Sequence, residues 1–80
     1  MTEQEAIHIL QNIIQETAGK EVHLSISDDL RNSPALDSLD LVMFFIEYEN
    51  RTGVKLPETD KLGEEGWHKI DKLIEGMLKS

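Results

Sequence analysis

The sequence predicts an all-α fold: a small bundle of three main helices, a short extra helix between the second and the last, and a long loop after helix one. Three observations carry this. Apolar residues recur at spacings of three and four near both ends of the chain, the signature of helices with one buried face. The central run LVMFFIEY follows a capping signal and precedes a Thr-Gly stop. The alternating residues Val22, Leu24 and Ile26 form a lone strand pattern with nothing to pair against.

Helix one is read from Thr2, whose hydroxyl and Glu5 three residues later form a capping box. Ala6, Ile7, Leu10, Ile13, Ile14 and Thr17 make its apolar stripe. Gly19 suits the left-handed position that ends a helix, and Lys20 follows the negative helix end favourably. From Lys20 to Leu36 the helical period is lost, and an ordered loop is expected with Val22, Leu24 and Ile26 tucked beneath it. Ser27, Asp28 and Asp29 are placed to cap one short turn ending near Arg31. Loops this long without regular structure are often functional.

Helix two is expected from Asp37 or Ser38 to about Arg51, with Asp37 as N-cap, Asp40 completing a capping box, and Gly53 as the stop. Its apolar residues spread round most of the cylinder. Phe44, Phe45 and Tyr48 are assigned to the core, which leaves Val42 and Ile46 as exposed contacts. After Leu56-Pro57 the segment ETDKLG suits a short third helical piece. The last helix is read from Trp67, with Ile70, Leu73, Ile74, Met77 and Leu78 as its stripe and Gly76 weakening its final turn. Trp67 is read as a core anchor and His68 as a surface residue.

A chain of 80 residues with 39% hydrophobic content is read as one domain, 1–80. Sixteen acids against eight bases give a net charge of −8, which repels nucleic acid and anionic membranes. The N-terminus lacks the pattern of a signal peptide, and no apolar run is of spanning length, so a cytoplasmic monomer without membrane insertion is expected. The absence of cysteine removes disulfides, thiolate metal ligands and a cysteine nucleophile. His8, His23 and His68 are far apart in sequence, and the five glycines form no phosphate loop, so neither a metal site nor a catalytic residue is expected. The chain is not expected to be an enzyme.

What chemistry is left centres on ALDSLD. Ser38 would open helix two with an acid before it, and a phosphate joined to its hydroxyl would lie near free backbone N–H groups and the positive end of the helix dipole. Plain capping explains Asp37 and Ser38 equally well by themselves.

The whole run LDSLDLVMFFIEYENRTGVKLP resembles the acyl carrier protein family. In that family a small acidic helical bundle carries Asp-Ser-Leu at the start of its second helix. Asp37, Ser38 and Leu39, the acid at Asp40, the helix length and Leu56-Pro57 all match, and the order of elements extends the resemblance over nearly the whole chain. It implies that a phosphopantetheinyl transferase, using coenzyme A and magnesium, joins 4'-phosphopantetheine to Ser38 through a phosphodiester. The arm's thiol would then hold a fatty, polyketide or aminoacyl group as a thioester and present it to activating and acyl-transfer enzymes. Asp37 would help the transferase, Leu39 would belong to the docking surface beside the arm, and Asp40, Val42, Met43, Ile46 and Glu47 would meet partners.

Some residues depart from the pattern of fatty-acid carriers. Ala35-Leu36 stands where Gly-Ala is usual, Leu41 and Met43 lie between the acidic positions, and Asn50-Arg51 replaces part of the acidic end. The docking face becomes greasier and less negative, which points to a dedicated carrier with fewer partners. Leu-Asp-Ser together with a Trp opening the final helix is also similar to the D-alanyl carrier proteins of cell-envelope modification. The surrounding residues leave the cargo open. The competing expectation is an acidic interaction domain of the same shape that is never modified.

Overall fold

The computed structural model describes residues 1–79. Helix α1 spans Glu3–Ala18, α2 Ser38–Thr52, α3 Thr59–Leu62 and α4 Ile70–Lys79, with a single 3-10 turn at Leu30–Asn32 in the loop between α1 and α2. Helix α1 packs against both α2 and α4. The result is the small all-helical bundle the apolar spacing predicts.

Local chemistry sets the helix ends. Thr2 and Glu5 cap α1 reciprocally: the Thr2 hydroxyl accepts from Glu5 N at 3.2 Å and Thr2 N donates to the Glu5 carboxylate at 3.3 Å. Gly19 closes α1 at φ 69° and Gly53 closes α2 at φ 76°, conformations that cost a residue with a Cβ. Ala6, Leu10, Ile13 and Ile14 are buried along α1, and Phe44, Phe45 and Tyr48 along α2. Ile70, Leu73, Ile74 and Met77 bring α4 onto the same core, which Trp67 and Leu62 complete.

Four expectations change. The last helix begins at Ile70 and not at Trp67, because backbone groups just before it pair with the loop: Leu30 N donates to His68 O at 2.8 Å and Ile70 N to Asp28 O at 3.0 Å. These bonds form a bridge between Asp29 and Lys69, so the loop does find a partner for one extended residue. Trp67 sits in the turn before α4 and is still the core anchor expected, 8% exposed. Ile26 is exposed and not tucked away, whereas Val22, Leu24 and Leu36 do pack onto the core. Leu78, placed on the buried stripe from its spacing, is half exposed beyond the end of the packed face.

Candidate functional site

The α2 N-terminus is built by two carboxylates that cap each other. Asp37 Oδ1 accepts from Asp40 N at 2.8 Å, and Asp37 N donates to Asp40 Oδ2 at 3.3 Å. This pairing fixes the first turn of α2 and places Ser38 as its first residue. Ser38 is exposed, and among the described residues no group hydrogen-bonds its hydroxyl. The positive end of a 15-residue helix lies beside Ser38, with the Asp40 N–H of the first turn taken up by Asp37.

Leu39 stands beside it, 66% exposed, the most exposed of the large apolar side chains along α2. Val42, Met43 and Ile46 continue the exposed strip, with Ile46 at 59%. Contiguous exposed apolar surface is uncommon on so small a bundle and is the kind of surface that marks interaction sites. Behind it lies an open cleft of about 380 Å³ between α2 and the segment through α3, lined in part by Ser38, Val42, Phe45, Ile46, Leu56 and His68. Leu41 is half-buried and lines the same cleft, so it contributes to the core side of the helix more than to the outer strip.

The acids expected to meet partners are already engaged within the chain. Asp40 serves the cap and lies 3.6 Å from Lys20 Nζ. Glu47 pairs at 2.7 Å with Arg51, which also pairs with Glu16 of α1 and so ties α1 to α2. Those two carboxylates hold the Arg51 guanidinium above its ordinary range, Glu16 contributing more. Arg51, read from the sequence as a loss of acidity on the docking helix, is thus a fastening between helices. This leaves the exposed strip apolar, with Glu47 beside it drawn into an ion pair.

Two residues gain meaning from the fold. Lys20, expected to serve the end of α1, reaches across the loop: its ammonium donates to the Ala35 carbonyl and pairs with Asp40. His68, expected at the surface, is half-buried, with its ring edge-on to Phe45 at 5.1 Å. Burial pushes its pKa down, and the nearby Arg31 adds to this while Asp29 opposes it. No spacing in the sequence marks either residue, because both are brought to the cleft or the helix start by a loop with no period.

The geometry is thus an exposed serine hydroxyl, unbonded among the described residues, in the first turn of a capped helix, next to an open apolar strip on a small helical bundle. The chain belongs to the acyl-carrier-protein-like family of carrier proteins, as its relatives show. It is 32% identical over 68 residues to a D-alanyl carrier protein of Streptococcus suis, covering 85% of each chain. It is 31% identical to that of a second Streptococcus suis strain over 85% of each, and 31% identical to that of Streptococcus sanguinis over 84% of each. No protein-family profile matches the chain, and no solved structure matches it. None of the described helices is long and apolar enough to cross a membrane.

Proposed function

We propose that the chain, folding as one unit over residues 1–80, carries an aminoacyl group of the D-alanyl type as a thioester on 4'-phosphopantetheine joined to Ser38. The observation that carries the reading is the Ser38 hydroxyl, exposed and unbonded among the described residues at the start of a helix capped by Asp37 and Asp40. The relatives' name supports the choice of cargo class.

In the modification, Ser38 Oγ forms a bond to one phosphorus of the coenzyme A pyrophosphate while the bridging P–O bond breaks. The serine proton leaves to a base on the transferase, and the nucleotide half departs. The arm supplies a thiol, which a cysteine-free chain otherwise lacks. On this chain's side, Asp37 and Asp40 hold the helix start in shape, and the positive end of α2 accommodates the phosphodiester charge. Leu39 docks the transferase beside the arm, while Val42, Met43 and Ile46 offer apolar contact to the aminoacyl-activating and transfer enzymes. Asp40 and Glu47 add charge at the edge of that contact, already tempered by Lys20 and Arg51. The chain acts as a cytoplasmic monomer, itself non-catalytic.

The test is intact mass after incubation with coenzyme A, magnesium and a broad-specificity phosphopantetheinyl transferase. The expected result is a gain of one phosphopantetheine that Ser38→Ala abolishes. An unchanged mass, with a known carrier modified in the same tube, would sink the reading in favour of an unmodified interaction domain. Loading of the modified chain by amino-acid-activating enzymes, D-alanine against fatty acids, then decides the cargo.

A further inference from the structure

We propose that Lys20 is a positioning residue for the modification of Ser38, holding the end of the loop in the shape a transferase meets; this rests on Ser38 being the modified residue. The segment 33–37 delivers Ser38 to the surface and is lightly fastened. Leu36 N donates to Ser33 O at 3.3 Å and Asp37 N to Asp40 at 3.3 Å, while the Leu36 side chain packs onto the core. Ser33 N donates to Leu30 O at 3.2 Å, and Asp37 is held to α2 by Asp40 N at 2.8 Å and Leu41 N at 3.1 Å, so both ends of the segment are tied locally. The tie from Ala35 back to the start of the loop comes from the Lys20 ammonium, which donates to the Ala35 carbonyl and lies 3.6 Å from Asp40. Lys20 itself follows Gly19, the cap of the core-packed α1. One side chain therefore pins the loop's far end to the rigid start of the same loop, fifteen residues away.

The charge is informative too. The helix dipole alone would repel a cation at this N-terminus, but the Asp37 and Asp40 carboxylates outweigh it, and Lys20 is held by Asp40 and the Ala35 carbonyl. A phosphodiester on Ser38 would add an anion to a helix start that already holds Asp37 and Asp40, and Lys20 offsets that accumulation. The Lys20 side chain is 48% exposed, so its ion pair contributes little to global stability. Its contribution is to the order of the segment 33–37, where a loss would raise the cost of docking and leave the chemistry unchanged.

The experiment compares wild type, Lys20→Met and Lys20→Arg as apo proteins. Modification by the broad-specificity transferase is followed by intact mass over a range of carrier concentrations, with amide hydrogen exchange of residues 33–37 and thermal melting alongside. The expected result for Lys20→Met is a KM for the carrier raised about fivefold, the size an exposed ion pair can supply, with kcat within about twofold. Exchange in 33–37 quickens, melting moves by less than about 2 °C, and Lys20→Arg recovers most of the KM. Equal KM values for wild type and Lys20→Met overturn the proposal. So does a loss in Lys20→Met that tracks a fall in melting temperature and that arginine does not recover. If wild type is itself unmodified, the reading of Ser38 has failed, and that arm alone reveals it.

Discussion

The Tyr48 hydroxyl donates to the Leu73 carbonyl at 2.7 Å, tying the middle of α2 to α4 inside the core. One turn along α4, Gly76 lies against the same phenol. A Cβ there would stand 3.1 Å from Tyr48 Oη and 3.2 and 3.3 Å from two Trp67 ring carbons. Gly76 is thus less a weak point in the helix than the clearance that lets two aromatic rings close over it.

Replacing Gly76 with Ala sets two effects against each other. Helix propensity favours Ala by about 1 kcal/mol, while crowding two ring systems that are themselves packed costs about 1–3 kcal/mol. The net expectation for Gly76→Ala is destabilisation of about 1 kcal/mol, measured by urea unfolding, whereas an exposed glycine in a helix would gain from the same change. Tyr48→Phe, which keeps the ring and removes the hydroxyl, should lose about 1 kcal/mol. The double variant should lose less than the sum, since removing Oη relieves the closest contact of the new methyl group.

His68 makes stability depend on pH near neutrality. Burial lowers its folded pKa below the usual 6.5. The folded protein therefore binds fewer protons than the unfolded chain in that range, and the stability contributed is fully present above the unfolded value. It is lost as the pH falls from about 6.5 toward the depressed folded pKa. Asp29 and Arg31 face the ring with opposing effects, and Phe45 packs against it in an edge-on contact without charge. The melting temperature of wild type is expected to fall between pH 7.5 and 5.5, and that of His68→Gln to fall less. Equal slopes would show that the burial of this ring carries no linkage. Asp29, held below the ordinary carboxylate range chiefly by its hydrogen bonds with Arg31, acts in a lower window: its contribution is lost only as the pH falls below about 3.8.

Much of the fold was legible because helix ends and buried stripes are local. Thr2 with Glu5, Asp37 with Asp40, Gly19 and Gly53 all act within a turn of themselves, and the sequence spells them out. The start of α4 was misread because Trp67 has the right spacing from Ile70 while its neighbours' backbone groups pair with Asp28 and Leu30, some forty residues earlier. Spacing cannot report a bond of that range. The same limit hid the Lys20 contacts across the loop and the Arg51 pairing with Glu16 on another helix. Ser38 was legible as a candidate from its motif, yet the freedom of its hydroxyl and the occupation of Asp40 and Glu47 by internal cations are facts of the fold.

Ile46 offers a test of the exposed strip that leaves the fold alone. At 59% exposed it contributes little to the core, so Ile46→Ser should change stability by no more than about 0.5 kcal/mol. Loss of an apolar contact from the centre of a docking surface costs about 1–2 kcal/mol of binding, a weakening of roughly five- to thirtyfold. Loading by an activating enzyme should therefore show a raised KM for the carrier at unchanged kcat. Since the Ile46 contact is apolar and Glu47 beside it is paired with Arg51, the loss caused by Ile46→Ser is also expected to change only mildly with added salt. An Ile46→Ser protein loaded as efficiently as wild type would move the docking surface elsewhere on the bundle.

Asp37 has two proposed roles that one pair of substitutions can separate. As an N-cap its oxygen accepts the Asp40 N–H at 2.8 Å, a role that asparagine performs nearly as well and alanine cannot. As an acid beside Ser38 it offers the transferase a negative charge, which neither replacement keeps. Asp37→Asn is therefore expected to retain stability within about 0.5 kcal/mol of wild type, and Asp37→Ala to lose about 1 kcal/mol. If the charge is what the transferase uses, both variants should be modified several-fold more slowly, and by similar factors once each is folded. If Asp37→Asn is modified at the wild-type rate while Asp37→Ala is slow, the residue acts through the geometry of the helix start alone. The acid of the Asp-Ser pair would then matter for where it puts the serine, and Lys20, which holds the other side of that same capping box through Asp40, would act by the same means.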